Sequence, residues 1–77
     1  MSQYDKLDSL IVDSIKGGCH SFSAIYNNRG VFDEALRISI DIKRIQHRVV
    51  DGRLQALRRR GVIVHFSGWG WRVMELG

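Results

Sequence analysis

A small α+β domain, with helices first and a β-hairpin last, is the fold class that this 77-residue sequence predicts. Around Leu7–Ile15 and Ile45–Leu57, apolar residues recur every three or four positions, as they do on one-sided helices. From Val62 onward, after a glycine, the pattern switches to β-branched and aromatic residues in alternation. The length predicts a single domain over residues 1–77. A domain near this size buries only roughly 60% of its unfolded surface, which leaves a narrow stability margin.

The first helix is predicted over residues 5–16. Leu7, Leu10, Ile11 and Ile15 form its inward face, and Val12 widens it. Asp5 and Asp8 fall in the first turn, where carboxylates complement the helix dipole. Lys16 and Gly17-Gly18 supply a basic last turn and a glycine cap. Ser23 is placed to cap a second helix carrying Ala24, Ile25 and Tyr26, which Asn27-Asn28-Arg29-Gly30 interrupts. The helical pattern resumes through Phe32, Ala35 and Leu36. Residues 23–38 therefore fit either one kinked helix or a short helix, a loop and another helix.

Ile38-Ser39-Ile40-Asp41-Ile42 alternates like a strand, but a turn is expected there, with Ser39 or Asp41 as N-cap of the next helix. That main helix is predicted from about residue 42 to residue 60. Val50, Leu54 and Leu57 make one apolar row, and Ile45, Val49 and Ala56 make a second. Gly52 costs this helix roughly 1 kcal/mol relative to alanine, a cost that close approach of a neighbouring helix would explain. Gly61 ends it. Val62–Phe66 and Trp69–Met74 then read as two strands joined through Ser67-Gly68. Trp69 and Trp71 fall on one strand face and are expected to cover the core; exposed, they would mark a partner surface.

Composition narrows the function classes. The hydrophobic fraction of 44% is that of a globular protein, and no apolar run is long enough to span a bilayer. No membrane partner is expected. Residues 1–6 lack a basic segment followed by an apolar one, so the expected location is cytoplasmic. Cys19 is the single cysteine, which agrees with a reducing compartment. Charge is uneven: residues 1–42 hold six acids and four bases, whereas residues 43–77 hold eight bases and two acids. Such a split points to an anionic partner for the C-terminal half.

No catalytic site, metal site or cofactor is expected. Cys19-His20 is an isolated pair without metal-ligand spacing, and Gly17-Gly18 lacks the Lys-Ser/Thr of a nucleotide loop. The main helix, by contrast, is packed on one side and carries Arg44, His47, Arg48, Asp51, Gln55, Arg58 and Arg59 on the other. Such a helix can enter a DNA major groove, and arginine and glutamine suit the edges of guanine and adenine. Asp51 opposes that reading, and a basic helix face that merely meets solvent is the plain alternative. Arg58-Arg59-Arg60, at the far end, suit phosphate or solvent better than bases.

The run from Arg48 to Ile63 resembles the Leu-x-x-Leu-x-x-x-Gly-(Leu/Val)-Ile junction of winged helix-turn-helix transcription regulators, including the MarR-like groups. Leu54, Leu57, Gly61, Val62 and Ile63 carry the match. The resemblance implies a three-helix core with a C-terminal β-hairpin wing. It also implies a short strand near Cys19–Phe22 that joins the wing sheet. The sixteen residues between Phe22 and Ser39 exceed the compact second helix usual in the family. By this resemblance the chain binds double-stranded DNA sequence-specifically, as a transcriptional regulator. Gln46, His47 and Arg48 are then the candidates for base reading, Lys43, Arg44 and Arg53 for phosphate, and Arg72 for contact from the wing. A homodimer or a partner protein would enlarge the small interface that one such domain offers. The competing reading is a protein-docking module that uses the same helix and the tryptophans against an acidic partner.

Overall fold

The computed structural model describes residues 4–74. Over these, four helices precede a two-stranded antiparallel hairpin: α1 (Asp5–Lys16), α2 (Phe22–Asn27), α3 (Arg29–Ile42), α4 (Gln46–Arg59), β1 (Ile63–Phe66) and β2 (Gly70–Val73). The α+β class and the order of its parts agree with the sequence. Four helices stand where the resemblance implied a three-helix core, because the middle of the chain takes the second of its two expected forms, a short helix followed by another.

α1 has the predicted bounds and buries Leu7, Ile11 and Ile15, with Leu10 and Val12 half-buried beside them. It closes with paired backbone bonds, from Gly18 N–H to the Ile15 carbonyl and from Cys19 N–H to the Ser14 carbonyl. This closure needs a positive φ, which Gly18 supplies at 109°. α4 closes the same way: Gly61 N–H donates to Arg58, Val62 N–H donates to Leu57, and Gly61 has φ 77°.

The cap of α2 is Ser21, not Ser23: its Oγ accepts from Ala24 N–H at 3.1 Å. Ser21 has extended backbone and so precedes the helix, whereas Ser23 lies inside it. Asn28 alone then separates α2 from α3. Its N–H reaches back to the Ala24 and Ile25 carbonyls, while its side chain accepts from Val31 N–H. One residue thus ends one helix and starts the next.

α3 runs through Ile38–Ile42, so the expected turn there is wrong and Ser39 and Asp41 cap nothing ahead of α4. The physical reason is burial. Val31, Ala35 and Ile38 pack on one helix face, Ile42 half-buries in continuation, and Ile40 turns outward. Within α3, Arg37 hydrogen-bonds the buried Glu34 at 2.6 and 3.2 Å and holds its carboxyl below the usual carboxylate range. That contribution to stability is present at neutral pH and is lost as pH falls through the depressed value.

The turn expected at 38–42 falls instead at 43–45. Lys43 takes the left-handed conformation with φ 56°, and Arg44 N–H donates to the Ser39 carbonyl. α4 therefore spans Gln46–Arg59 rather than 42–60, and Ile45 lies outside it, exposed. Val49, Val50, Leu54 and Leu57 are buried as read. Gly52 is not a point of helix contact: it is exposed, and a Cβ there would meet nothing within 4 Å.

The hairpin pairs Ile63 with Val73 and Phe66 with Gly70. Its connection is three residues long, Ser67-Gly68-Trp69, closed by Trp69 N–H to the Phe66 carbonyl. Trp69 thereby leaves the strand and stands 70% exposed, while Trp71 is buried at 6%. The two tryptophans do not share a role. No third strand forms at Cys19–Phe22; a single bond, Trp71 N–H to the His20 carbonyl at 2.6 Å, joins that segment to β2. Ser21 is already the cap of α2, which leaves no room for a longer ladder.

Candidate nucleic-acid interface

The seven residues singled out from the sequence separate into three groups. Lys43, Arg44, His47 and Arg48 are exposed and gather in the α3–α4 turn and the first turn of α4. The ion pairs that join described residues, Arg37–Glu34 and Arg53–Asp8, leave all four out. Arg44 and Arg48 line one surface groove of about 490 Å³ together with Gly52 and Arg53. The bare backbone at Gly52 opens that groove rather than admitting a helix. His47 and Arg48 also border a second depression with Phe22 and Asp51, so the Asp51 carboxylate does stand on the basic face.

Gln46 and Arg53 are half-buried and engaged by hydrogen bonds within the chain. The Gln46 side-chain amide donates to the Phe32 carbonyl at 2.8 Å, fastening the start of α4 to α3. Arg53 makes a two-pronged bond to Asp8, Nε to Oδ1 at 2.9 Å and Nη2 to Oδ2 at 2.8 Å. Its guanidinium also lies over the Tyr4 ring, 4.4 Å from the centroid. The Asp8 hydrogen bonds raise its already high pKa, so it stays charged. Arg53 is therefore a clamp between α1 and α4, and phosphate contact is withdrawn for it. Both side chains are mostly covered, 21% exposed for Arg53 and 11% for Asp8.

Arg72 stands apart on β2, half-buried, with its guanidinium 6.0 Å from the Trp69 ring centroid. Phe66, Trp69 and Arg72 together border a shallow pocket at the hairpin tip. Sequence reasoning missed the Asp8–Arg53 clamp and the exposure of Trp69. The first had a faint signal, since Asp8 lies in the row Tyr4, Asp8, Ile11, Ile15, where an apolar side chain is the norm.

Among the described residues, no group of three or more His, Cys, Asp or Glu side chains converges to hold a metal ion, and no helix is long and apolar enough to cross a membrane. No protein-family model matches the chain, and neither does any curated protein or any solved structure.

Proposed function

We propose that this chain is a winged helix-turn-helix domain that binds double-stranded DNA sequence-specifically and regulates transcription. α3, the turn 43–45 and α4 form the helix-turn-helix, α4 enters the major groove, and the β1–β2 hairpin is the wing. The observation that carries the reading is the cluster of Lys43, Arg44, His47 and Arg48. All four are exposed, without acidic partners among the described residues, at the leading end of a helix whose other face is core. A groove-entering helix reads bases from that end. Base reading falls to His47 and Arg48, since Gln46 is engaged with Phe32. Phosphate contact falls to Lys43 and Arg44, with Arg72 from the wing.

Lys43 adds support. Three helices end with an N–H donating to the carbonyl five residues back: Cys19 to Ser14, Val62 to Leu57 and Arg44 to Ser39. The residue before each donor has positive φ, glycine after α1 and α4 but lysine after α3. A left-handed conformation costs a side-chain-bearing residue roughly 1–2 kcal/mol. Keeping a cation there against that cost fits a use for its charge. Lys43→Gly is accordingly expected to raise unfolding stability by about 1 kcal/mol and to weaken duplex binding. Denaturant titration and fluorescence anisotropy on the same sample check both directions, and unchanged affinity would remove Lys43 from the contact set.

The direct test is a titration of mixed-sequence duplex DNA across a salt series. Phosphate contacts from Lys43, Arg44 and Arg72 imply a slope of log affinity on log salt near −2.7, from roughly −0.9 per contact, and a fourth from Arg48 would bring it near −3.6. Arg48→Ala should shrink that slope by about one contact's worth if it meets phosphate, or flatten the preference among duplexes if it reads a base. Absence of duplex affinity at low salt would end the reading. Phe66 at 50% and Trp69 at 70% exposure favour a second reading, an interaction module whose hairpin docks an acidic protein without DNA. In that case Trp69→Ser abolishes partner binding while duplex DNA never competes for it.

A further inference from the structure

We infer that the outward face of α3 is a self-association surface, paired antiparallel with the same face of a second copy of this chain. Phe32, Leu36 and Ile40 are four residues apart and form one row along the 14-residue helix. They are 36%, 41% and 71% exposed, so the row is an apolar stripe that the described residues leave open, increasingly toward Ile40. Phe32 is held in place by an edge contact with Tyr26, 5.5 Å between ring centroids. A fixed aromatic at one end and two aliphatic side chains along the row make a knob-and-ridge surface suited to another helix.

Charge identifies the occupant. The adjacent row is Arg29, Asp33, Arg37 and Asp41, all exposed and alternating in sign. When a helix packs antiparallel on its own copy about a two-fold axis, the same flank meets itself in reverse order. Centred between Asp33 and Arg37, that reversal sets Arg29 against Asp41 of the other copy and Asp33 against its Arg37. Every facing pair then has opposite sign. The apolar row is centred one residue further on, so Leu36 lies beside Leu36 of the other copy, and Phe32 beside its Ile40, with an offset of about 3 Å along the helices. In a parallel pairing the two-fold runs along the helices and puts this row on opposite sides of the seam in the two copies, so its charges would not meet. Arg37 uses Nε and Nη2 on Glu34, which leaves Nη1 for the neighbour.

Area sets the strength. A 14-residue helix is about 21 Å long, and a face of that length covers less than the roughly 800 Å² per partner typical of stable complexes. The association is therefore weak, with a dissociation constant in the range of about 10–100 µM.

Sedimentation velocity of the full chain from about 5 to 500 µM tests this, because the range brackets a dimer of that strength. The wild type should move from the 8.8 kDa monomer toward twice that mass. Ile40→Glu, at an exposed position, should raise the dissociation constant at least about tenfold, since it buries a charge in the interface. Arg29→Asp and Asp41→Arg should each weaken the dimer about three- to tenfold, by setting like charges opposite one another. Combining the two should return it to within about twofold of wild type. Both changes also suit the α3 dipole, so loss of folding does not explain a weaker dimer. Monomer throughout the range overturns the inference, as does a dimer indifferent to Ile40→Glu but lost with Trp69→Ser. Failure of the combined charge swap to restore association overturns the antiparallel arrangement.

Discussion

Gly70→Ala is expected to cost about 3 kcal/mol or more of unfolding free energy, a large part of the roughly 4–11 kcal/mol that a domain of this length holds. Gly70 has φ 80°, where an added side chain costs roughly 1–2 kcal/mol. The more serious obstacle is space. A Cβ at Gly70 would fall on the His20 carbonyl, well inside van der Waals contact. That carbonyl belongs to the backbone and has no rotamer to yield. β2 would have to withdraw from the segment before α2, breaking the Trp71 N–H to His20 bond and uncovering Trp71. A lost hydrogen bond adds about 1 kcal/mol, and a loosened tryptophan adds more. Gly68→Ala is the matched control. Its φ is 83°, yet nothing lies within 4 Å of the added Cβ, so only the backbone cost of about 1–2 kcal/mol should appear. Urea midpoints of the two variants measure the difference, and equal losses would refute the steric account.

Asp8→Ala should cost about 2–3 kcal/mol, the largest effect expected from an acidic residue among the described ones. Truncation takes the carboxylate from an Arg53 side chain that is four-fifths covered in the intact pair. Charge-assisted two-pronged bonds are the strong kind, and here they join residues 45 apart, from α1 to α4. Arg53→Met should cost less, because its apolar chain can still rest on Tyr4. Asp8→Leu combined with Arg53→Met should recover much of the loss, since replacing both partners removes the desolvation cost along with the attraction. A double-mutant cycle with a coupling below about 0.5 kcal/mol would show the pair to be incidental.

The parts of the fold legible in the sequence are those with local causes. α1 is bounded correctly because an apolar row and a glycine pair mark its face and its end. Of the six apolar residues expected on the inner rows of α4, Val49, Val50, Leu54 and Leu57 are buried, whereas Ala56 is half-buried and Ile45 lies outside the helix, exposed. Errors arise where five residues satisfy two periods at once. In Ile38–Ile42 a strand puts Ile38, Ile40 and Ile42 together, whereas a helix puts Ile38 and Ile42 together and Ile40 opposite. Nothing within that window decides between them, and the long neighbouring helix does. Because Lys43 takes the place of a glycine, the true turn carries no mark. One extra residue in the hairpin connection is enough to move Trp69 from strand to tip.

For the candidate site, residue type is legible and availability is not. All seven polar residues are cationic or hydrogen-bonding as the reading requires, but the partners of Gln46 and Arg53 lie 14 and 45 residues away. Only packing reveals that those two are occupied. The remaining cluster is compact, with Lys43, Arg44, His47 and Arg48 within six positions.

The Arg53–Asp8 fork has a mechanical consequence. Two parallel bonds between planar groups resist rotation as well as separation. With Gln46 tied to α3 at one end and Arg53 tied to α1 midway along, α4 cannot roll about its own axis without breaking one of them. The angle at which His47 and Arg48 are presented therefore depends on the first helix of the chain as well as on α3. Motion should concentrate in the hairpin tip and the turn before α4, and hydrogen exchange should find amides there opening well before those of α1 and α4.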